Sequence, residues 1–171
     1  AERARELTGQ LLAYTGKGKF VLEELDISAL VRSVTELLGV SIPKKVALRY
    51  SLAESLPIVR GGGGQLRQIV MNLVTNALEA LAKEGGKVEI ETRGADASQG
   101  RRVCVEVRDN GCGMDAATQQ RIYEPFYSTK FDGRGLGLAG ALGIARSHGG
   151  EMQVESEPCL LYTSPSPRAR S

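Results

Sequence analysis

Three side-chain amides recur every fourth residue along one predicted helix, and their chemistry suits ligand binding. Gln68, Asn72 and Asn76 lie on one face of the segment QLRQIVMNLVTNALEALAKEGG. The remaining residues are mostly aliphatic and predict a largely buried helix, where an unpartnered amide costs roughly 2–7 kcal/mol. Neighbouring backbone groups can satisfy one such amide, but three in register favour a polar ligand or ion. Because amide oxygens suit magnesium that is shared with substrate phosphates, the stripe predicts a metal–phosphate site.

A second motif follows the apolar segment VCVEV. Within RDNGCGMD, Asp109, Gly111 and Gly113 form a DxGxG pattern. A carboxylate at the end of a strand can accept a hydrogen bond from an exocyclic amine, and glycine lets a flat ligand approach the backbone. The dipeptide Asn110-Gly111 is also a strong turn signal by itself. Alone, the motif is therefore equally consistent with a simple tight turn.

The stretch GRGLGLAG, residues 133–140, matches the glycine pattern of a dinucleotide-binding turn at Gly135, Gly137 and Gly140. Such a turn must come directly from a buried parallel strand, whereas EPFYSTKFDGR precedes it here and predicts a loop. The Walker-type phosphate loop is excluded as well, because no glycine pair is followed by Lys-Ser or Lys-Thr at the required spacing. What remains is a mobile glycine loop leading into a helix whose N-terminus can receive phosphate.

Hydrophobic periodicity predicts the elements that position these residues. Helices are predicted at 1–16, 26–38, 65–86, within 115–126 and at 137–150, and strands at 20–25, 46–52, 87–93, 101–109 and 151–157. The four glycines 61–64 predict a flexible break, and 94–100 a polar loop that joins an antiparallel strand pair. This mixture predicts an α+β two-layer sandwich.

Composition narrows the class of protein. The 171 residues are 42% hydrophobic and carry 22 basic and 20 acidic side chains, a balance that argues against nucleic acid or an anionic membrane as the main partner. No apolar run approaches the roughly 20 residues that span a bilayer, so we expect no membrane contact by this piece. The three cysteines lack CxxC spacing and predict neither disulfides nor zinc, which favours a cytoplasmic setting.

Taken in order, four segments resemble the catalytic ATP-binding domain of sensor histidine kinases: QIVMNLVTNALEA, DNGCGM, YEPFYSTK and GRGLGLAGALGIARSHGG. This domain belongs to a wider ATPase group shared with type II topoisomerases, mismatch-repair ATPases and heat-shock chaperones. The EPFYSTK form is most similar to the nitrogen-regulation and hybrid kinase subgroups. The resemblance implies the Bergerat fold, in which helices cover one face of a mixed, mostly antiparallel sheet.

The resemblance also implies a division of the chain. Residues 1–18 would be the end of a dimerisation and phosphoacceptor helix, and 19–158 the catalytic domain, with a closing edge strand missing after Glu157. Residues 159–171 are rich in Ser, Pro and Arg and predict a disordered or non-native tail. We expect the sequence to be an excerpt of a longer protein.

By the same resemblance, the amides of Asn72 and Asn76 would hold magnesium and the ATP phosphates, and Asp109 would bind the adenine amino group. Phe126 would anchor an ATP lid at residues 127–136, in which Lys130 is a further phosphate contact. The expected ATP-binding residues are Asn72, Asn76, Asp109, Gly111, Gly113, Met114, Phe126, Lys130, Gly133, Arg134, Gly135, Leu136 and Gly137.

Several positions depart from the family pattern. Gln68 stands where many members have Glu, and an amide cannot act as a general base. Arg134 replaces the commoner Thr or Ser and is either a phosphate contact or a solvated lid charge. Glu79 lies where some members carry a basic phosphate contact, and residues 61–64 replace a segment that usually contains Asp.

The resemblance implies transfer of the ATP γ-phosphoryl to a histidine outside this sequence. His148, the single histidine, is predicted to occupy a helix C-terminal cap, where partial positive charge is favourable. The implied partners are ATP with Mg²⁺, a dimerisation and phosphoacceptor domain, a response regulator and a second copy in a homodimer. The full-length protein would be cytoplasmic or anchored with this domain in the cytoplasm. Two alternatives stay open: a non-catalytic nucleotide sensor, and a related ATPase of the repair or chaperone kind.

Overall fold

The computed structural model describes residues 21–39, 42–82, 84–97, 100–129 and 135–158. Its strands are β1 (Glu23–Leu25), β2 (Val46–Leu52), β3 (Val59–Gly61), β4 (Gly86–Ala97) and β5 (Gly100–Asp109). Its helices are α1 (Ile27–Leu38), α2 (Gly63–Ala80), α3 (Ala116–Arg121) and α4 (Gly137–Ser147). The predicted helix at 1–16 and the tail at 159–171 lie outside the described residues.

The central sheet has the order β2-β4-β5 and is mixed. β2 pairs with β4 in parallel, from Val46 opposite Gly86, whereas β4 and β5 form an antiparallel hairpin. One face of β4 contributes Val88, Ile90 and Thr92 to the core, all nearly inaccessible to solvent. β1 and β3 form a separate antiparallel pair. The predicted α+β class and its mixed sheet are confirmed.

Helix α1 covers the core face of the sheet and is tied to it by buried hydroxyl groups. The Asp26 side chain caps α1 by accepting a hydrogen bond from Ala29 N at 3.0 Å. Within the first turn of α1, Ser28 Oγ donates to Ala53 O at 2.8 Å and lies 2.7 Å from Thr92 Oγ1. Thr92 Oγ1 in turn accepts from Ala53 N at 3.0 Å, so these buried polar groups are satisfied.

The glycine run at 61–64 is not the predicted flexible break. Gly61 ends β3, Gly62 is the N-cap of α2, and Gly63 and Gly64 begin that helix. Tertiary packing overrides the local preference of glycine, because Gly61 is buried against the imidazole ring of His148. The strand β3 itself was not predicted from its sequence, VRG.

Two boundaries differ from prediction. The hairpin strands continue through the predicted polar loop at 94–100, with Ala97 paired to Gly100, because ladder hydrogen bonds satisfy the backbone whatever the side-chain polarity. Helix α2 ends at Ala80 and not at the glycines 85–86. Gly85 has φ +77°, and a Cβ there would lie 2.6 Å from Lys45 O, so this glycine is required by a close backbone approach.

The predicted strand at 151–157 is not formed in the described part of the chain. Exposed and half-buried residues nevertheless alternate there, so one side of the segment faces the protein. Its polar groups bond to other partners, however: Glu151 pairs with Arg102 at 3.0 Å, and Ser156 Oγ accepts from Met114 N at 2.9 Å. The segment therefore contacts β5 and Met114 through these side chains without joining the ladder of the sheet.

Candidate functional site

The amide stripe of α2 meets the first residue of α4. Asn72 Nδ2 donates a hydrogen bond to Gly137 O at 3.0 Å. Because a carbonyl only accepts, this contact fixes the orientation of the amide and leaves Oδ1 as its acceptor atom. Asn76 Nδ2 lies 4.0 Å from the position that a Cβ on Gly137 would occupy. Asn72 and Asn76 on α2 thus lie beside Gly137 on α4, so the structure brings three predicted site residues together.

The helix that carries the stripe is less buried than predicted. Val70, Val74, Ala77 and Leu78 are buried, but the side chains of the three stripe amides are half-buried. α2 packs its aliphatic face on the core and turns its amide face toward α4 and solvent. A ligand can therefore reach the amides from outside, which a fully buried stripe would prevent.

The DxGxG motif forms a turn built onto the end of α2. Asp109, at the end of β5, is exposed and accepts a hydrogen bond from Gly111 N at 2.9 Å through Oδ1. Gly111 packs so tightly against the last residue of α2 that a Cβ would lie 2.7 Å from Ala80 Cβ. Asn110 Oδ1 accepts from Lys87 N at 2.6 Å and fixes the turn to β4. Packing against Ala80 therefore requires glycine at position 111, in addition to any role of Gly111 in ligand binding.

Gly113 and Met114 are braced by the segment after α4. Gly113 has φ +64°, and a Cβ there would overlap the carbonyl oxygen of Glu157. Gln119 Nε2 donates to Met114 O at 3.0 Å and to Ser156 O at 2.7 Å, so one amide joins α3 to both segments. The sequence prediction missed the bracing residues Gln119 and Ser156. The one available signal was a serine at an inward-facing position of EMQVESE.

The two ends of the predicted lid are joined at its base. Phe126 N donates to Gly135 O at 2.9 Å, and both residues adopt positive φ, 67° and 65°. The Phe126 side chain is 66% exposed, so its backbone rather than its ring makes the contact at this base. Leu136, beyond Gly135, is buried. The predicted site residues Lys130, Gly133 and Arg134 lie outside the described residues.

A cation–π contact holds the segment that enters the lid. The Arg121 guanidinium lies 4.1 Å from the centroid of the Tyr127 ring, and its Nε donates to Glu124 Oε2 at 2.9 Å. Nearby, burial raises the pKa of the Tyr123 phenol. These contacts were not predicted, because no periodic pattern marks them.

His148 occupies the predicted C-cap of α4 and also makes a contact that was not predicted. Its ring Nε2 accepts a hydrogen bond from Gly62 N at 2.9 Å. A ring nitrogen that accepts carries no hydrogen, so Nε2 is the acceptor atom of this ring. The remaining ring nitrogen, Nδ1, lies 2.9 Å from Ile144 O and donates to it.

The donor set available for a cation consists of amides. Among the described residues, no group of three or more His, Cys, Asp or Glu side chains could hold a metal ion. The oxygens of Asn72 and Asn76 are hard ligands of the kind that magnesium takes together with water and phosphate. No helix in the described ranges is long and apolar enough to cross a membrane.

Comparison with known proteins agrees with this geometry. The family model described as histidine kinase-, DNA gyrase B-, and HSP90-like ATPase matches residues 61–166. The sensory histidine kinase/phosphatase NtrB of Klebsiella oxytoca is 32% identical over 164 residues, which cover 92% of this chain and 46% of that protein. The sensor kinase CckA of Brucella abortus is 32% identical over 170 residues, which cover 92% of this chain and 18% of that protein. The chain thus spans less than half of either relative.

Solved structures show the same fold. Full-length ShkA in complex with AMPPNP superimposes with a TM-score of 0.68 at 28% identity, over 86% of this chain and 32% of that one. The catalytic domain of the histidine kinase ThkA gives a TM-score of 0.62 at 28% identity, over 75% of this chain and 82% of that one. With the family model covering more than half of its residues, this chain belongs to the histidine kinase-, DNA gyrase B-, and HSP90-like ATPase family.

Proposed function

We propose that the chain is the Mg-ATP-binding catalytic domain of a two-component sensor histidine kinase. It transfers the γ-phosphoryl of ATP to a histidine on a dimerisation and phosphoacceptor domain, from which a response regulator receives it. The full-length protein acts as a homodimer with this domain in the cytoplasm. The observation that carries the proposal is the contact between the amide stripe of α2 and Gly137, the first residue of α4.

The phosphates bind where these two helices meet. The first backbone N–H groups of a helix have no partner within it and carry partial positive charge. Leu136, the N-cap residue of α4, makes no side-chain cap, so a phosphate can accept from the N–H groups there. Gly137 adds no side chain that would fill the space between this N-terminus and the amides of Asn72 and Asn76.

The magnesium ligands from the chain are the amide oxygens of Asn72 and Asn76. The hydrogen bond from Asn72 Nδ2 to Gly137 O points Oδ1 away from that carbonyl and makes it available to a cation. When bound, magnesium neutralises the charge of the phosphates during transfer. The protein itself contributes orientation, because both amides are fixed on one helix face.

The adenine ring binds beside the DxGxG turn. The bond from Gly111 N holds the Asp109 carboxylate at the end of β5, where it can accept a hydrogen bond from the exocyclic amine. Gly113, which has no side chain, forms the floor on which a flat ring can lie.

Titration with Mg-ATP tests the proposal most directly. Asn76→Asp places a negative charge beside the phosphates, and we expect roughly tenfold weaker binding than in the unsubstituted chain. Gln153→Glu introduces the same charge at an exposed position of the 151–158 segment and serves as the matched control. Equal affinity in Asn76→Asp and in the control would refute the proposed phosphate site.

Phosphotransfer in trans tests the reaction class. With γ-labelled ATP, the isolated chain should remain unlabelled, whereas an added dimerisation domain that carries its histidine should take up label. Binding of ATP without transfer to that domain would support a non-catalytic nucleotide sensor instead. Steady hydrolysis without any acceptor would support an ATPase of the repair or chaperone kind.

A further inference from the structure

We infer that His148 is a positioning residue for the phosphate-binding end of α4. Its ring joins the C-terminus of α4 to the N-terminus of α2 through the bond from Gly62 N to Nε2. The inference rests on the proposed function, because it assigns to His148 the placement of the α4 N-terminus against the phosphates. His148 itself does not touch the nucleotide.

The ring is a rigid bridge between the two helices. Its Nε2 accepts from Gly62 N at 2.9 Å, and its Nδ1 donates to Ile144 O at 2.9 Å, so both nitrogens are engaged. Gly62 is the N-cap of α2 and has no side chain of its own to make a cap. The imidazole therefore satisfies the backbone N–H of the N-cap residue, one of the N–H groups that have no partner within α2.

Two contacts at opposite ends fix how α4 lies along α2. The helices run antiparallel, with His148 against Gly62 at one end and Gly137 against Asn72 at the other. At about 1.5 Å per residue, the stretch from 137 to 148 spans about 16 Å and that from 62 to 72 about 15 Å. Because these spans match, the His148 contact sets the axial position at which Gly137 meets the amides.

The lack of a side chain on Gly61 leaves room for the His148 ring. A Cβ on Gly61 would lie 2.9 Å from His148 Cδ2, closer than a side-chain contact allows. Gly61 does not have a positive φ, so its backbone conformation does not require glycine. The missing side chain matters because it leaves space for the ring. Gly61 and His148 thus form a matched pair, and the glycine run that departs from the family pattern makes room for the bridge.

Binding of Mg-ATP and of adenosine to two variants tests this role. His148→Gln keeps an acceptor at the reach of Nε2, whereas His148→Asn keeps only groups at the reach of Nδ1. We expect His148→Asn to weaken Mg-ATP binding roughly tenfold, the scale of one lost hydrogen bond to a buried donor, and to leave adenosine binding within about twofold. His148→Gln should restore most of the Mg-ATP affinity.

The ratio of the two affinities separates positioning from stability. Partial unfolding weakens both ligands equally and leaves the ratio unchanged, so an unchanged ratio in His148→Asn overturns the inference. A second variant, Gly61→Ala, displaces the ring without altering it and should give the same selective loss for Mg-ATP. If the unsubstituted chain binds Mg-ATP but neither variant is selective, the inference fails alone. If the unsubstituted chain does not bind, the proposed function fails with it.

Discussion

Substitution of Gly113 by alanine tests how the floor of the site is held. Gly113 has φ +64°, a conformation that costs an L-residue roughly 1–2 kcal/mol. In addition, the new Cβ would overlap the carbonyl oxygen of Glu157, which is backbone and cannot rotate away. The segment 151–158 must therefore move, and Gly113→Ala carries a second cost beyond its dihedral angle.

The second cost follows from the contacts of Ser156. Displacement of the segment breaks the bonds from Met114 N to Ser156 Oγ at 2.9 Å and from Gln119 Nε2 to Ser156 O at 2.7 Å. At about 0.5–1.5 kcal/mol each, these add roughly 1–3 kcal/mol. We expect Gly113→Ala to lower the free energy of unfolding by roughly 2–5 kcal/mol in total.

Urea unfolding followed by circular dichroism measures this change, and Gly149→Ala is the matched control. Gly149 has φ +70° at the C′ position of α4, where a Cβ meets nothing within 4 Å. Its substitution therefore carries only the dihedral cost of roughly 1–2 kcal/mol. Equal losses in the two variants would refute the reasoning, because they would show that the segment bearing Glu157 does not press on Gly113.

Two further predictions concern helix N-termini. Gly64→Ala should raise the free energy of unfolding by about 0.5–1 kcal/mol, because alanine favours helix more than glycine does. Gly64 is exposed in the first turn of α2 and has open space for the new Cβ. A lower free energy of unfolding, measured in urea, would contradict this prediction. At α3, hydrogen bonds from Thr118 lower the pKa of the Asp115 carboxyl, so its stabilisation is present above its ordinary pKa and is lost as pH falls through the lowered value. The difference in unfolding free energy between the unsubstituted chain and Asp115→Asn should therefore shrink as unfolding is measured at progressively lower pH, and a constant difference would argue against this cap.

Local patterns predicted the elements whose signals are periodic. Hydrophobic periodicity predicted the strand β4, whose buried face carries Val88, Ile90 and Thr92, and it predicted the helix α1. The segment 151–157 marks the limit of this signal. Its residues alternate as those of a strand do, but alternation carries no information on which backbone groups pair.

The site was predictable in part for the same reason. A spacing of four placed Asn72 and Asn76 on one helix face, but their meeting with Gly137 depends on how two helices pack. The contact of His148 with Gly62 joins residues far apart in the chain and leaves no local pattern. For this reason the glycine run appeared flexible from the sequence, although packing makes it the ordered start of α2.

The connectivity of the sheet sets the order in which its strands can assemble. β4 and β5 are neighbours in sequence, so their pairing closes only short loops, starting from Ala97 opposite Gly100. The parallel pairing of β2 with β4 closes a loop that contains β3 and all of α2, and its entropic cost is correspondingly higher. The hairpin is therefore expected to form early, and β2 to join only after α2 has folded back onto the sheet.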